Sequence, residues 1–162
     1  QDGIRDSVAS RGLGDVYKRQ ALETSSYTLI TIARQASKYF SESGGSVISM
    51  TFDASNRVYP GYNVMGIAKA ALENINRQLS AEYGPRKIRF NSISAGPLPS
   101  LSARSIPGFT EMRKAHEQRS PIKRPITHEE VANTALFLVS DLSTGITGSI
   151  IPVDGGYGII AL

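Results

Sequence analysis

Residues 59–83 read YPGYNVMGIAKAALENINRQLSAEY, and this stretch decides the fold. Val64, Ala68, Ala71, Leu72, Ile75 and Leu79 recur at three and four residues, the period of one buried helical face, and Gly84-Pro85 supplies the stop. The spacing predicts a helix of about six turns. Within it, six residues separate Tyr62 from Lys69. At about 100° per residue the two side chains project within roughly 20° of each other, about 10 Å apart along the axis. A long lysine stem then lets both tips reach one ligand. A phenol so placed donates to a developing oxyanion, while the ammonium holds a hydroxyl-rich ligand and lowers the phenol's pKa. The pair alone does not separate a site from coincidence, since any long helix carries Tyr and Lys on a shared face.

On both sides of this helix the chain alternates between helical and extended patterns. Ser25 or Ser26 is an N-cap candidate for a helix whose stripe is Tyr27, Ile30, Ala33, Ala36 or Ser37, and Phe40, with Ser43-Gly44-Gly45 as its end. SVISMTF (46–52) reads as a buried strand, DASNRVYPG leads into the central helix, and IRFNSIS (88–94) reads as a second strand. Strand, helix, strand at this spacing is a right-handed parallel unit. Thr127 with Glu130 three later opens another helix with Val131, Ala135 and Leu138 on its buried face, and SIIPVDGG (149–156) is a last strand. The predicted class is α/β, the C-terminal portion of a doubly wound, Rossmann-like parallel sheet with about three strands and flanking helices. Ligands in such sheets bind beyond the carboxyl ends of strands, which singles out AGPLPSL (95–101). Read alone, A-G-P-x-P is also simply a rigid turn.

YNVMGIAKAALE (62–73), IRFNSISAGPLPSL (88–101) and SPIKRPITHEEVANTALFLVSDLSTGITGSIIPVDGG (120–156) together resemble the C-terminal half of an NADH-dependent enoyl-[acyl-carrier-protein] reductase, a divergent member of the short-chain dehydrogenase/reductase superfamily. The resemblance covers about Glu23 to the C-terminus. An ordinary superfamily member has three residues between its tyrosine and lysine; the six found here, with Met65-Gly66 among them, mark the enoyl reductase branch. The resemblance implies catalytic roles for Tyr62 and Lys69. It also implies cofactor contacts from Lys69, Ala95, Gly96, Pro97, Leu98 and Ser100, with the Leu98 backbone on the nicotinamide carboxamide and the Ser100 hydroxyl on phosphate. Pro99 replaces an arginine usual in the family and removes a donor and a charge.

The same resemblance makes residues 101–119 a lid over the acyl chain, with Ile106, Phe109 and Met112 as lining candidates that are equally readable as core contacts. Phe52 stands about ten residues before Tyr62, where many enoyl reductases carry a second tyrosine. It is expected either to wall the substrate site or to be a strand-end core aromatic, and it leaves Tyr62 as the one phenol aimed at the substrate. Met65 completes the expected substrate contacts. The implied reaction is hydride transfer from NADH to a trans-2-enoyl thioester of acyl carrier protein, or to an acyl-CoA, by a homotetramer in which the helices matching Ser26–Phe40 and Tyr62–Tyr83 lie between subunits. A carbonyl-reducing short-chain dehydrogenase and a non-catalytic oligomerisation module are the alternatives. Against the first stands Ser49, which sits too early in its strand to be a catalytic serine.

Composition limits other readings. The chain has 162 residues, enough for one domain with a core, 40% hydrophobic and 20% charged. It has no cysteine and only two histidines, His116 and His128, so a metal cluster has little to draw on. No apolar run reaches a membrane span and no signal-peptide order is present, so a cytoplasmic protein is expected. Eighteen basic residues against 14 acidic ones give +4. Only Arg113–Arg124, RKAHEQRSPIKR, is locally basic, and it lacks the interleaved aromatics of a nucleic-acid site. It reads as a solvated face or a landing site for an acidic carrier protein. Residues 1–20 show no apolar period and resemble adapter-derived sequence, so the domain is drawn as 21–162. No G-x-G-x-x-G loop precedes a helix anywhere in the sequence, which points to a fragment lacking the adenosine-binding half and inactive alone.

Overall fold

The computed structural model describes residues 15–104, 106 and 108–161. Three parallel strands, β1 (Gly45–Thr51), β2 (Ile88–Ala95) and β3 (Ile150–Val153), form a sheet in the order β1-β2-β3. Gly45 pairs with Ile88 and Thr51 with Ser94, while Ser92 pairs with Ile150 and Ala95 with Val153. The register brings the carboxyl ends of β1 and β2 level, which is where the loops carrying Phe52 and Gly96 leave the sheet.

Helix α1 (Asp15–Leu22) continues through a π-helical turn, Glu23–Tyr27, into α2 (Thr28–Ala36). The boundary expected after residue 20 is therefore no structural break: α1 crosses it and packs on the central helix. Residues 1–14 of the segment set apart lie outside the described residues. The expected N-cap at Ser25 or Ser26 is also corrected, since Ser26 is buried inside the continuous helix and its hydroxyl donates to the Leu22 carbonyl. The buried stripe is Ser26, Leu29, Ala33 and Ser37 rather than one through Tyr27 and Ile30, both of which are exposed. Small hydroxyls on that face permit close helix packing, and the apolar period alone could not register them.

The central helix α3 spans Val64–Tyr83. Its apolar face meets α2 and β2 in the core of Leu29, Ala33, Leu72, Leu79, Tyr83, Ile88 and Phe90. Burying Leu72 and Leu79 contributes about 1.5–3 kcal/mol each. On the other face of the sheet lies α6 (His128–Val139), held by the Ser46 hydroxyl donating to the Leu138 carbonyl at 2.8 Å. Helices on both faces make the layered α/β arrangement expected. The capping box at the start of α6 is present, with Thr127 accepting from the Glu130 amide at 3.2 Å and Glu130 accepting from the Thr127 amide at 2.8 Å. Between β2 and α6 run α4 (Leu101–Arg104) and α5 (Phe109–Arg119).

Candidate active site

Tyr62 does not share a helix with Lys69. Pro60, Gly61 at φ 85° and Asn63 at φ 42° break the chain, so α3 begins one residue after Asn63 and Tyr62 occupies the turn before it. The pair is therefore not set by one helical face, yet both side chains line one cavity. Gly66 is one reason: a Cβ there would lie 2.7 Å from the Ala54 carbonyl oxygen, so only glycine lets the loop after β1 rest on α3. That approach lays Phe52 beside Tyr62, with ring centroids 5.2 Å apart.

A cavity of about 230 Å³ opens at the carboxyl ends of β1 and β2. Phe52, Tyr62, Lys69 and the Ala95–Leu98 loop line it on the sheet side, and Ile106, Phe109 and Met112 close it from above. Of the residues singled out in sequence, two fall outside this lining. Met65 turns the other way, its Sδ 4.0 Å from the Ser25 hydroxyl. Ser100 is exposed, and its Oγ accepts from the Ala103 amide at 3.0 Å, starting α4. That bond uses an oxygen lone pair and leaves the Ser100 O–H able to donate.

The Lys69 ammonium donates to the Met50 carbonyl at 2.8 Å. Burial lowers its pKa, opposed by Glu73 one turn on, whose carboxylate accepts from the Thr51 hydroxyl at 2.7 Å. Burial raises the pKa of Tyr62. The expectation that the cation depresses the phenol is thus corrected, because desolvation dominates at the phenol. A phenol so held stays protonated and acts as a hydrogen-bond donor.

Sequence reasoning missed a second layer. His116 of α5 is buried, stacks on Tyr157 at 3.6 Å between centroids, and places Nε2 3.2 Å from the Tyr59 hydroxyl. Tyr59 in turn donates to Asp53 Oδ2 at 3.2 Å. Phe109, Met112 and His116 recur at three and four residues, a signal that was legible but hidden by the surrounding charges. The basic run 113–124 is accordingly not a uniform solvated face, because Arg124 pairs with Glu130 at 2.6 Å and the Arg119 guanidinium lies 5.8 Å over Tyr157.

A family model described as enoyl-(acyl carrier protein) reductase matches residues 15–158. The chain belongs to the enoyl-(acyl carrier protein) reductase family. The family match begins where α1 begins, so Asp15–Gln20 fall inside it. An NADH enoyl-[acyl-carrier-protein] reductase from Synechocystis sp. is 49% identical over 143 residues, which is 88% of this chain and 55% of that protein. An NADPH enoyl-[acyl-carrier-protein] reductase from Staphylococcus aureus is 40% identical over 169 residues, 98% of this chain and 66% of that protein. The crystal structure of the Bacillus cereus reductase with NADP+ and indole naphthyridinone superposes with a TM-score of 0.91 at 39% identity, covering 99% of this chain and 62% of that one. The chain spans about half the length of the first two enoyl reductases it matches.

Proposed function

We propose that the protein carrying this chain is an enoyl-thioester reductase of type II fatty-acid synthesis, moving hydride from NADH to the β-carbon of a trans-2-enoyl-acyl carrier protein. The observation that carries this reading is the single cavity in which a protonated phenol, a lysine ammonium and the loop after β2 meet beneath an apolar wall. Tyr62 donates to the thioester carbonyl oxygen as it becomes an enolate oxygen, a charge that a positioned donor stabilises. Phe52 packs against that phenol and offers no competing donor.

The donor set suits the nicotinamide end of a dinucleotide. Lys69 spends one N–H on Met50 and has others that would serve ribose hydroxyls, the Ala95–Leu98 loop would hold the nicotinamide end, and the Ser100 O–H would be free to donate to phosphate. A bound dihydronicotinamide would supply the hydride. The α-carbon then takes a proton from solvent to give the saturated thioester. Ser49 has no place in this scheme: its hydroxyl is paired with that of Ser92 at 2.6 Å across the sheet, which favours alkene over carbonyl reduction.

The same reading makes the protein a cytoplasmic homo-oligomer, tetrameric in the family's pattern, acting on acyl carrier protein or acyl-CoA thioesters. Tyr27 at 57% and Ile32 at 52% exposure support contact between copies, and among the described residues no helix is long and apolar enough to cross a membrane. The test joins this chain to the N-terminal half of the Synechocystis relative and follows NADH consumption. Turnover is expected with a trans-2-enoyl thioester and not with a 3-oxoacyl thioester, and none from the chain alone. Preference for the 3-oxoacyl substrate would replace this reading with carbonyl reduction.

A further inference from the structure

Helix α5 sends Phe109 and Met112 into the cavity, and one turn beyond Met112 it sends His116 into a buried aromatic nest instead. The His116 ring lies on Tyr157 with an interplanar angle of 15°, and Phe52, a wall of the cavity, is 6.4 Å away centroid to centroid. A carboxylate only accepts, so the Tyr59 proton belongs to Asp53 Oδ2, and the Tyr59 oxygen is left to accept from His116 Nε2. The imidazole is therefore the Nε2–H tautomer, and Nδ1 is an acceptor.

Nδ1 is fully buried and has no protein partner among the described residues. It faces a small void of about 10 Å³ lined by Gly96, Pro97, Arg113, Arg124, Ile126 and Asp154, and a Cβ on Gly96 would stand 3.6 Å from it. The void borders Arg113, Arg124 and Asp154 as well as the apolar Pro97 and Ile126, and its volume is about that of one water. The imidazole thus stands between the lid helix, the loop after β1 and the loop after β2 that carries Gly96.

We propose that His116 is a positioning residue for the acyl site, its neutral ring pinning α5 to Tyr59 through Nε2 and, through one buried water on Nδ1, to the Gly96 loop, so that Phe109 and Met112 are held over the cavity. The proposal rests on the reductase reading for what the cavity binds, though not for the geometry of the clasp. The charged and titratable groups around the ring are Asp53, Arg57 and the neutral phenol of Tyr59 from the loop after β1, Arg113 and Arg119 from α5, Arg124 paired with Glu130, and Asp154 with the phenol of Tyr157 from the C-terminal segment. Burial of the ring, with Arg119 and Arg57 nearby, opposes a second proton and outweighs the pull of Asp154; Arg124 is neutralised by Glu130.

Two measurements test the clasp. Nitrogen-15 NMR of the imidazole in the 162-residue chain should show the neutral Nε2–H tautomer at neutral pH; an Nδ1–H tautomer or an imidazolium there overturns the proposal. In the joined reductase, His116→Phe keeps the stack on Tyr157 and loses both hydrogen bonds. It should raise KM for long enoyl chains about fivefold, the equivalent of one net hydrogen bond, and raise it less for short ones, with kcat changing less than KM. His116→Gln, which keeps a donor toward Tyr59, should recover part of the loss. An equal KM change at all chain lengths, or none, overturns the positioning role. No enoyl reduction by the unmutated joined protein would instead sink the reductase reading, and the tautomer measurement would still decide the clasp.

Discussion

The Lys69 ammonium is hydrogen-bonded to the carbonyl oxygen of Met50 at 2.8 Å, so the helix that carries the lysine is tied to the end of the strand that leads to Phe52. One contact therefore serves both the sheet and the site. Tyr62, on the turn before the same helix, has no side-chain hydrogen bond among the described residues and packs against Phe52. The two residues should fail differently when altered. In the joined reductase, Tyr62→Phe is expected to lower kcat by about 10²–10³-fold with NADH affinity little changed, as for loss of one oxyanion donor. Lys69→Ala should weaken NADH binding and also lower the unfolding midpoint. Fluorescence titration of NADH beside steady-state rates separates them, and equal loss of NADH affinity in both variants would remove the role assignment.

Phe109 lines the cavity from α5, next to Ile106 and Met112. Phe109→Ala should raise KM progressively with enoyl chain length, since each buried methylene contributes about 0.8 kcal/mol, or about fourfold. A KM change that is flat from short to long chains would make Phe109 a packing residue alone.

Two groups shape the response to acid. Burial, helped by Arg119 and Arg57 and opposed by Asp154, pushes His116 down to about 4 from its ordinary 6.5. The folded state binds fewer protons there than the unfolded chain, so its contribution is complete above about 6.5 and is lost as pH falls through about 4. Arg124, then the Thr127 amide, holds Glu130 down to about 2 from 4.5, and its contribution is lost in the lower window, as pH falls through about 2. Urea midpoints against pH should therefore decline in an upper step from the buried His116 and a much smaller lower one, because the Arg124–Glu130 pair is exposed and screened by solvent. His116→Phe should flatten the upper step and Glu130→Gln the lower; an upper step unchanged in His116→Phe would contradict a neutral buried ring.

Thr127→Ala removes the side-chain half of the capping box on α6. The expected cost is about 1 kcal/mol, read as a lower denaturant midpoint with unchanged slope.

The strands, the central helix and the capping box were legible because each rests on a local signal: β-branched runs at 46–52 and 88–94, a three-and-four period from Val64, and Thr127 with Glu130 three later. The site was legible mainly as residue types. Tyr62 and Lys69 do share a cavity, but through the break at Gly61–Asn63 and the close approach at Gly66, which a periodicity argument reads as continuous helix. Met65 shares a helical face with Lys69 by spacing, but its side chain is taken up by the neighbouring helical segment at Ser25, a tertiary contact that spacing does not reveal. His116 and Tyr59 were passed over because their partners, Tyr157 and Asp53, are brought together only by tertiary packing. Gly155 and Gly156 belong to that packing: both have positive φ, and side chains there would meet Ile122 at 2.7 Å and Pro121 at 2.9 Å.

The central claim is that this cavity delivers hydride to the β-carbon of an enoyl thioester beside Tyr62. Its most direct test is the position of the label after reaction of the joined protein with NADH deuterated at nicotinamide C4 and an unlabelled trans-2-enoyl thioester. Mass spectrometry and NMR of the product should find deuterium at C3 of a saturated acyl chain, with the signal nearly lost in Tyr62→Phe. A saturated product without deuterium at C3, or an enoyl thioester recovered unlabelled, would contradict the account.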